Sequence, residues 1–203
     1  MKVYDSLFIP NFTGDLRNDV NEFLIRNGHG ETAEHCLKVG EESERIAVKF
    51  NEPADLALYA GYLHDISAVY PNEIRIEIAR SLGIQVLPEE EIFPMIIHQK
   101  LSRQMSIDIF KITNEDVLNA VGCHTTLRKE STKLDRVLFV ADKIAWDQKG
   151  SPPYLNELLA KLEVSLEHAA FEYISYLWSQ REKLKVLHPW LADAYFELKT
   201  ICE

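Results

Sequence analysis

The chain has 203 residues, 46% hydrophobic and 27% charged, enough to bury one sizeable core in a single globular domain. Its formal net charge of -10, from 22 Lys and Arg against 32 Asp and Glu, argues against a protein that coats nucleic acid but leaves a small polyanion held by metal ions admissible. The 3 cysteines, Cys36, Cys123 and Cys202, include no CxxC pair, so neither a disulfide framework nor a thiolate zinc site is indicated; a reducing cytoplasm is the expected compartment, and no stretch reads as a signal peptide or membrane span.

Residues 1–12 read as an irregular, apolar-tinged arm with Val3, Tyr4, Leu7, Phe8 and Ile9. Thr13 is placed to cap a first helix whose buried stripe is Leu16, Val20, Phe23 and Leu24. Asn27-Gly28-His29-Gly30 signals a turn, and a second helix from about Glu31 to Phe50 carries His35, Val39 and Ile46 inward. After the break at Asn51-Glu52-Pro53, Leu56, Tyr59, Ala60 and Leu63 mark a helix that ends at His64-Asp65. Residues 66–69 make a short connection, Pro71 opens a helix to about Leu82, and Gly83 closes it. Pro88 with Glu89, Glu90 and Glu91 starts a shorter helix, where negative charge suits the helix dipole. Met95, His98, Leu101 and Met105 follow helical spacing, which sets His98 on an apolar face.

Thr113 to Asp116 resembles a capping box before Val117, Ala120, Val121 and His124. Residues 125–132 are polar and loop-like; Leu134, Val137, Leu138 and Ala141 define the next helix, with Asp142 beside its stripe. Gly150-Ser151-Pro152-Pro153 reads as a linker. One long amphipathic helix from about Tyr154 to Gln180 follows, then a short last helix from Pro189 with Trp190, Leu191, Ala194 and Tyr195. No strand alternation persists. The predicted class is all-α, with a core over 13–150 and C-terminal helices over 151–203 packing on it.

Of 7 histidines, His35, His64, His98 and His124 fall on the apolar sides of separate helices, and Asp65 and Asp142 lie at helix ends or inner faces. Any one of these is more often a hydrogen-bonded core residue or a cap. Together they are hard to explain that way, because a buried carboxylate without a cation is expensive and few Lys or Arg share the stripes. Imidazole and carboxylate suit Fe, Mn or Zn, so the joint reading is a metal site. Cys36 and Cys123 flank two of these histidines but face elsewhere on a helix and are read as packing; His29 and His168 are read as surface residues.

The order His35, His64-Asp65, His98, His124, Asp142 resembles the HD-domain superfamily of metal-dependent phosphohydrolases, and His98 with His124 resembles its two-metal branch. Glu34-His35-Cys36-Leu37-Lys38-Val39, Ile96-Ile97-His98-Gln99-Lys100, Cys123-His124-Thr125-Thr126-Leu127-Arg128, the helix from Leu134 to Asp142-Lys143-Ile144, and His188-Pro189 are similar to segments of the YqeK-like branch. The resemblance spans about residues 30–192. It implies a single-domain HD-domain helical bundle with a C-terminal helical extension. It also implies symmetrical hydrolysis of diadenosine tetraphosphate into two ADP by a hydroxide activated at a di-metal centre. Two ions are implied, iron first, with Mn, Zn, Ni, Co or Mg as alternatives.

The implied metal ligands are His35, His64, Asp65, His98, His124 and Asp142. Asp65 would bridge the ions, and Asp65 and His98 would be the catalytic pair. Lys100, Thr125, Thr126, Arg128 and His188 are the substrate-binding candidates; the alternative reading of Thr125 and Thr126 is a loop cap, that of His188 a cap on the last helix, and Arg103 is read as a surface charge. The chain departs from the family pattern at Ile66-Ser67-Ala68-Val69, which holds no lysine, at Leu127, which stands for a glycine, at 146–153, and in its N-terminal arm. Other readings are an HD phosphohydrolase of another nucleotide or phosphorylated metabolite, and a non-catalytic nucleotide-binding module. No nucleic-acid or membrane partner is expected. A homodimer through the helix after Tyr154 stays open.

Overall fold

Two glycines set the spacing at the centre of the bundle. Helix α2 (Gly30–Lys49) packs along α3 (Ala54–Leu63), and a Cβ on Gly61 would stand 2.6 Å from the backbone nitrogen of Gly40 and 2.9 Å from the carbonyl carbon of Val39. The helices meet backbone to backbone there. Helix α3 buries Ala57, Ala60, Gly61, Tyr62 and Leu63, covering most of its last two turns, as expected of a helix enclosed by its neighbours. Those neighbours are α1 (Leu16–Arg26), α2, α6 (His98–Asp108), α7 (Glu115–Cys123) and α8 (Lys133–Ile144). The chain thus delivers His64 and Asp65 toward the interior at the end of a helix packed on several sides.

The structure is a computed structural model describing residues 3–146 and 150–203, and among these the fold is all helical with no strand. A 3-10 turn (Ile66–Val69), α4 (Asn72–Ser81) and α5 (Pro88–Ile92) lead from α3 to α6. Helices α9 (Leu155–Leu162), α10 (Leu166–Ser179) and α11 (Pro189–Cys202) follow α8, with α10 packing on α8, α9 and α11. Among the described residues no helix is long and apolar enough to cross a membrane. Val3, Tyr4 and Leu7 of the arm pack on the core, and Tyr4 Oη donates to Asp108 at 2.7 Å.

Several local expectations change. Asp15, not Thr13, caps α1, accepting from Arg17 and Asn18 backbone N–H; Thr13 instead donates its hydroxyl to the buried Asp19 at 2.8 Å. Asn114, not Thr113, caps α7 through the Val117 N–H. A reciprocal capping box starts α8, with the Asp135 N–H donating to Thr132 Oγ1 and the Thr132 N–H to Asp135 Oδ2. The expected long helix after Tyr154 is two helices: the chain turns at Glu163 and Val164, and Ser165 caps α10 by accepting the His168 N–H at 3.2 Å. The last helix is longer than expected, 14 residues from Pro189, with His188 Nδ1 accepting the Trp190 N–H at its start. Of the divergent stretch 146–153, residues 147–149 lie outside the described residues.

Candidate metal centre

Helix ends present most of the candidate ligands. His64 follows α3, His124 follows α7, and His98 is the first residue of α6; His35 lies within α2 and Asp142 in the last turn of α8. Carbonyls at a helix C-terminus lack intrahelical partners, so a side chain just beyond the end can satisfy one. His64 Nδ1 donates to the Gly61 carbonyl at 2.8 Å and His124 Nδ1 to the Val121 carbonyl at 2.9 Å. His98 makes the same bond to Met95, three residues back, at 2.5 Å. A carbonyl only accepts, so each of these imidazoles carries its proton on Nδ1 and, when neutral, aims a bare Nε2 lone pair the other way.

Those lone pairs converge. His98 Nε2 lies 2.9 Å from His124 Nε2, and His64 Nε2 lies 3.3 Å from His35 Nε2. Asp65 Oδ1 stands 3.1 Å from His98 Nε2 and 3.5 Å from His124 Nε2, while its Oδ2 stands 3.7 Å from His64 Nε2. Asp142 Oδ1 is 3.2 Å from His35 Nε2 and 3.6 Å from His64 Nε2. Ligand atoms about 2.0–2.2 Å from one ion stand about 3.0–3.5 Å apart around it, so these separations suit shared cations. Two groups of donor atoms, His35-His64-Asp142 and His64-Asp65-His124, each lie within 4.8 Å of one another. Asp65 Oδ1 is buried without a hydrogen-bond partner, which a cation would supply. The donor set therefore fits metal ions, and the Nδ1–carbonyl bonds would hold the imidazoles in the orientation such ions require.

The electrostatics ask for positive charge at this point. Burial opposes ionisation of Asp65, but His64 and His98 outweigh it and hold the carboxyl well below its usual range. Burial likewise opposes a charged Asp142, and Lys143 with His35 and His64 reverses the balance. Burial pushes His124 down to about 4, with Asp65 opposing and His98 and His64 adding repulsion. At His64 burial is overcome by Asp65, so its imidazolium is favoured. Burial also works against the Lys143 ammonium, and Asp142 beside it more than compensates, so the amine stays charged.

A cavity of about 400 Å³ opens on this cluster. His35, Asp65, His98, His124 and Asp142 reach its wall, as do Thr125, Thr126 and His188; His64 is fully buried behind them. Lys100 and Arg128 do not line it. Lys100 Nζ is 2.9 Å from Glu90, which is wholly buried, and Arg128 makes two bonds to Asp135 Oδ2 at 2.9 and 3.0 Å. Their carboxylates, 10 and 7 residues away, hold them in the protein wall. Arg103 pairs with Glu115 at 3.1 Å, while His29 precedes α2 and His168 starts α10. Cys36 and Cys123 are buried free thiols.

The cavity instead carries Lys143 and Lys185, together with Trp146, Tyr154 and Tyr173, which the sequence reading did not single out. Lys143 follows a ligand candidate directly, and that adjacency was the available signal; Lys185 lies in a loop with none. Gln99, also missed, is wholly buried and accepts the Thr125 and Thr126 backbone N–H groups at 3.0 and 3.3 Å, which fixes the loop after His124. Ser67 donates to the His98 carbonyl at 2.9 Å and accepts from Ser102 at 2.9 Å, tying the turn after Asp65 to α6.

A family model described as the HD domain matches residues 32–147. An uncharacterized protein encoded in the pepC 5' region of Lactococcus lactis is 48% identical over 143 residues, 70% of this chain and 72% of that protein. A symmetrical bis(5'-nucleosyl)-tetraphosphatase of Staphylococcus aureus is 29% identical over 54% of this chain and 56% of its own length. A probable nicotinate-nucleotide adenylyltransferase/Ap4A hydrolase of Mycoplasma genitalium is 28% identical over 57% of this chain, which spans 32% of that longer protein. Among solved structures, a predicted HD superfamily hydrolase involved in NAD metabolism from Clostridium acetobutylicum superposes with a TM-score of 0.83 at 25% identity, covering 91% of this chain and 97% of that one.

Proposed function

The chain belongs to the HD-domain family, and from that premise we propose that it is a metal-dependent phosphohydrolase that splits a dinucleoside tetraphosphate symmetrically into two nucleoside diphosphates. The observation that carries the reading is the convergence of four histidine Nε2 atoms and two carboxylates at a cavity. The likeness to a symmetrical tetraphosphatase supports the substrate class.

His35, His64 and Asp142 would hold one ion, and His98 and His124 the other. Asp65, with one oxygen toward each histidine group, would be shared. When bound, such ions acidify a water toward neutral pKa and neutralise non-bridging phosphoryl oxygens. The remaining work falls to the chain. The Nδ1–carbonyl bonds of His64, His98 and His124 orient those imidazoles so that each Nε2 points inward, where a cation would displace any proton from His64. Thr125 Oγ1, 3.2 Å from His98 Nε2, puts a hydroxyl beside the reacting region. Lys143 and Lys185 on the cavity wall supply charge to outer phosphates in place of the paired Lys100 and Arg128.

The test is hydrolysis of diadenosine tetraphosphate by the purified chain supplied with Fe or Mn, with products resolved by chromatography. Two ADP are expected. AMP plus ATP, or no turnover with either metal, refutes the reading. Metal analysis accompanies it: His98→Ala and His124→Ala should each lose about one ion while keeping the other, and unchanged stoichiometry contradicts the two-site assignment.

A further inference from the structure

The cavity wall beside Asp142 is aromatic, and one polar group in it has no partner among the described residues. Trp146 lies just past the end of α8, beyond Asp142, and lines the cavity with Tyr154 and Tyr173. The rings meet edge to face, with centroids 6.3 Å apart for Trp146–Tyr154 and 4.7 Å for Tyr154–Tyr173. Tyr154 is nearly enclosed, and its hydroxyl donates to the Lys143 carbonyl at 3.4 Å, which fixes the cluster to the end of α8. Leu177 and Leu184 continue the apolar lining. The Trp146 indole Nε1 is buried and makes no hydrogen bond among the described residues. Buried indole N–H groups ordinarily find an acceptor, and leaving one unmade is costly. An apolar, aromatic wall that holds a buried donor unpaired among the described residues, next to two lysines and a metal-type cluster, has the makeup of a nucleotide pocket.

We propose that this wall receives the nucleobase end of the substrate, with the Trp146 indole N–H donating to an acceptor on the nucleoside while the phosphates lie toward Lys143 and the ligand cluster. The inference rests on the proposed nucleotide phosphohydrolase reading and adds a specificity residue to it. The indole N–H lies in the ring plane, so Trp146 meets the nucleoside edge-on, and Tyr173 with Leu177 offers the flatter surface. Packing alone would explain an aromatic cluster, but it leaves the buried donor unexplained.

The experiment titrates the metal-loaded chain with ADP and, separately, with inorganic pyrophosphate, which has no nucleoside. Trp146→Phe keeps a ring and deletes the donor; Trp146→Leu deletes both. Trp146→Phe should weaken ADP about tenfold, the usual worth of one buried hydrogen bond. Trp146→Leu should weaken it further, since base–aromatic contacts add comparably. Pyrophosphate should stay within about twofold of wild type for both variants. Equal weakening of ADP and pyrophosphate assigns Trp146 a structural role and overturns the proposal. So does ADP binding that neither variant changes, or wild-type protein that binds pyrophosphate but not ADP. Loss of diadenosine tetraphosphate turnover in the wild type would sink the proposed reaction. A selective ADP effect would then still stand as evidence for the nucleoside wall.

Discussion

Replacing Gly61 with alanine should damage both the bundle and the proposed metal centre. The added Cβ would stand 2.6 Å from the Gly40 nitrogen and 2.9 Å from the Val39 carbonyl carbon. Ordinary non-bonded carbon contacts sit at about 3.5–4.0 Å, so α2 and α3 must part by about 1 Å. Overpacking of this kind costs about 1–3 kcal/mol, and backbone obstacles, which cannot swing aside, place it at the upper end. Alanine's better helix propensity returns about 1 kcal/mol. The net loss of about 2 kcal/mol lowers the Tm of a chain this size by about 4–8 °C.

The separation also reaches the candidate ligands, because α2 carries His35, whose Nε2 is 3.3 Å from that of His64, and the Gly61 carbonyl accepts from His64 Nδ1. Disturbing such a bond typically costs about 10–100-fold in metal affinity. Gly40→Ala is the internal control. Its Cβ would meet the Tyr62 ring at 2.5 Å and the Leu58 carbonyl oxygen at 3.2 Å, and the ring can turn where backbone cannot. Thermal unfolding followed by circular dichroism, with metal content by mass spectrometry, reads both effects. A Gly61→Ala protein with wild-type Tm and metal content refutes the reasoning, as does a Gly40→Ala protein that is the worse of the two.

Two further variants test other parts of the wall. Leu127 is fully buried yet holds a φ of 56°, the left-handed region that disfavours a branched side chain. Truncating it costs packing either way, but glycine relieves the backbone and alanine does not. Leu127→Gly should therefore be more stable than Leu127→Ala by about 1 kcal/mol in denaturant titration, the reverse of their usual helix order, and the opposite ranking contradicts the strain. Glu90 is wholly buried; burial pushes its carboxyl up, but hydrogen bonds from His188, Lys100 and the Leu87 N–H overcome this and hold it below the ordinary 4.5. A carboxyl depressed on folding stabilises above its unfolded value and loses that contribution as pH falls through the folded one. Glu90→Gln should thus cost about 3 kcal/mol at pH 7, where Lys100 loses its buried partner, and the gap from wild type should narrow steadily below about pH 4.5; a gap independent of pH excludes the pairing.

The all-α class and the order of the helices were legible because each apolar stripe repeats at helical spacing and most breaks carry Gly or Pro. The turn between α9 and α10 was not, because Leu162 and Leu166 keep the four-residue spacing straight through it and Ser165 alone marks the new start. Periodicity records which side faces inward, and it survives a break that preserves phase. The candidate ligands were legible from type and spacing, whereas the cations around the cavity were not. Lys100 and Arg128 sit next to conspicuous motifs, but their charges are taken up by Glu90 and Asp135, whose burial no local pattern announces. Lys143 looks like an ordinary basic residue in a last helical turn, until the fold sets it against Tyr173 and the cavity.

The lysine missing after His64-Asp65 acquires a physical context from this arrangement. Ser67 in that segment is wholly buried and bonds to the His98 carbonyl and to Ser102, so the turn locks Asp65 to the helix that presents His98. A lysine at the neighbouring Ala68 would not be needed for that lock, and charge toward a phosphate then has to come from another part of the wall. Lys143 meets the requirement because Asp142 keeps it ionised despite burial, and a ligand carboxylate that gives up part of its charge to a metal would leave that ammonium freer to face an anion. The same cation lies 5.4 Å from the Tyr173 ring, at the border between the ligand cluster and the aromatic wall. A substrate with phosphates at one end and a flat, acceptor-bearing group at the other would span that border, so loss of the lysine after His64-Asp65 need not carry loss of nucleotide recognition with it.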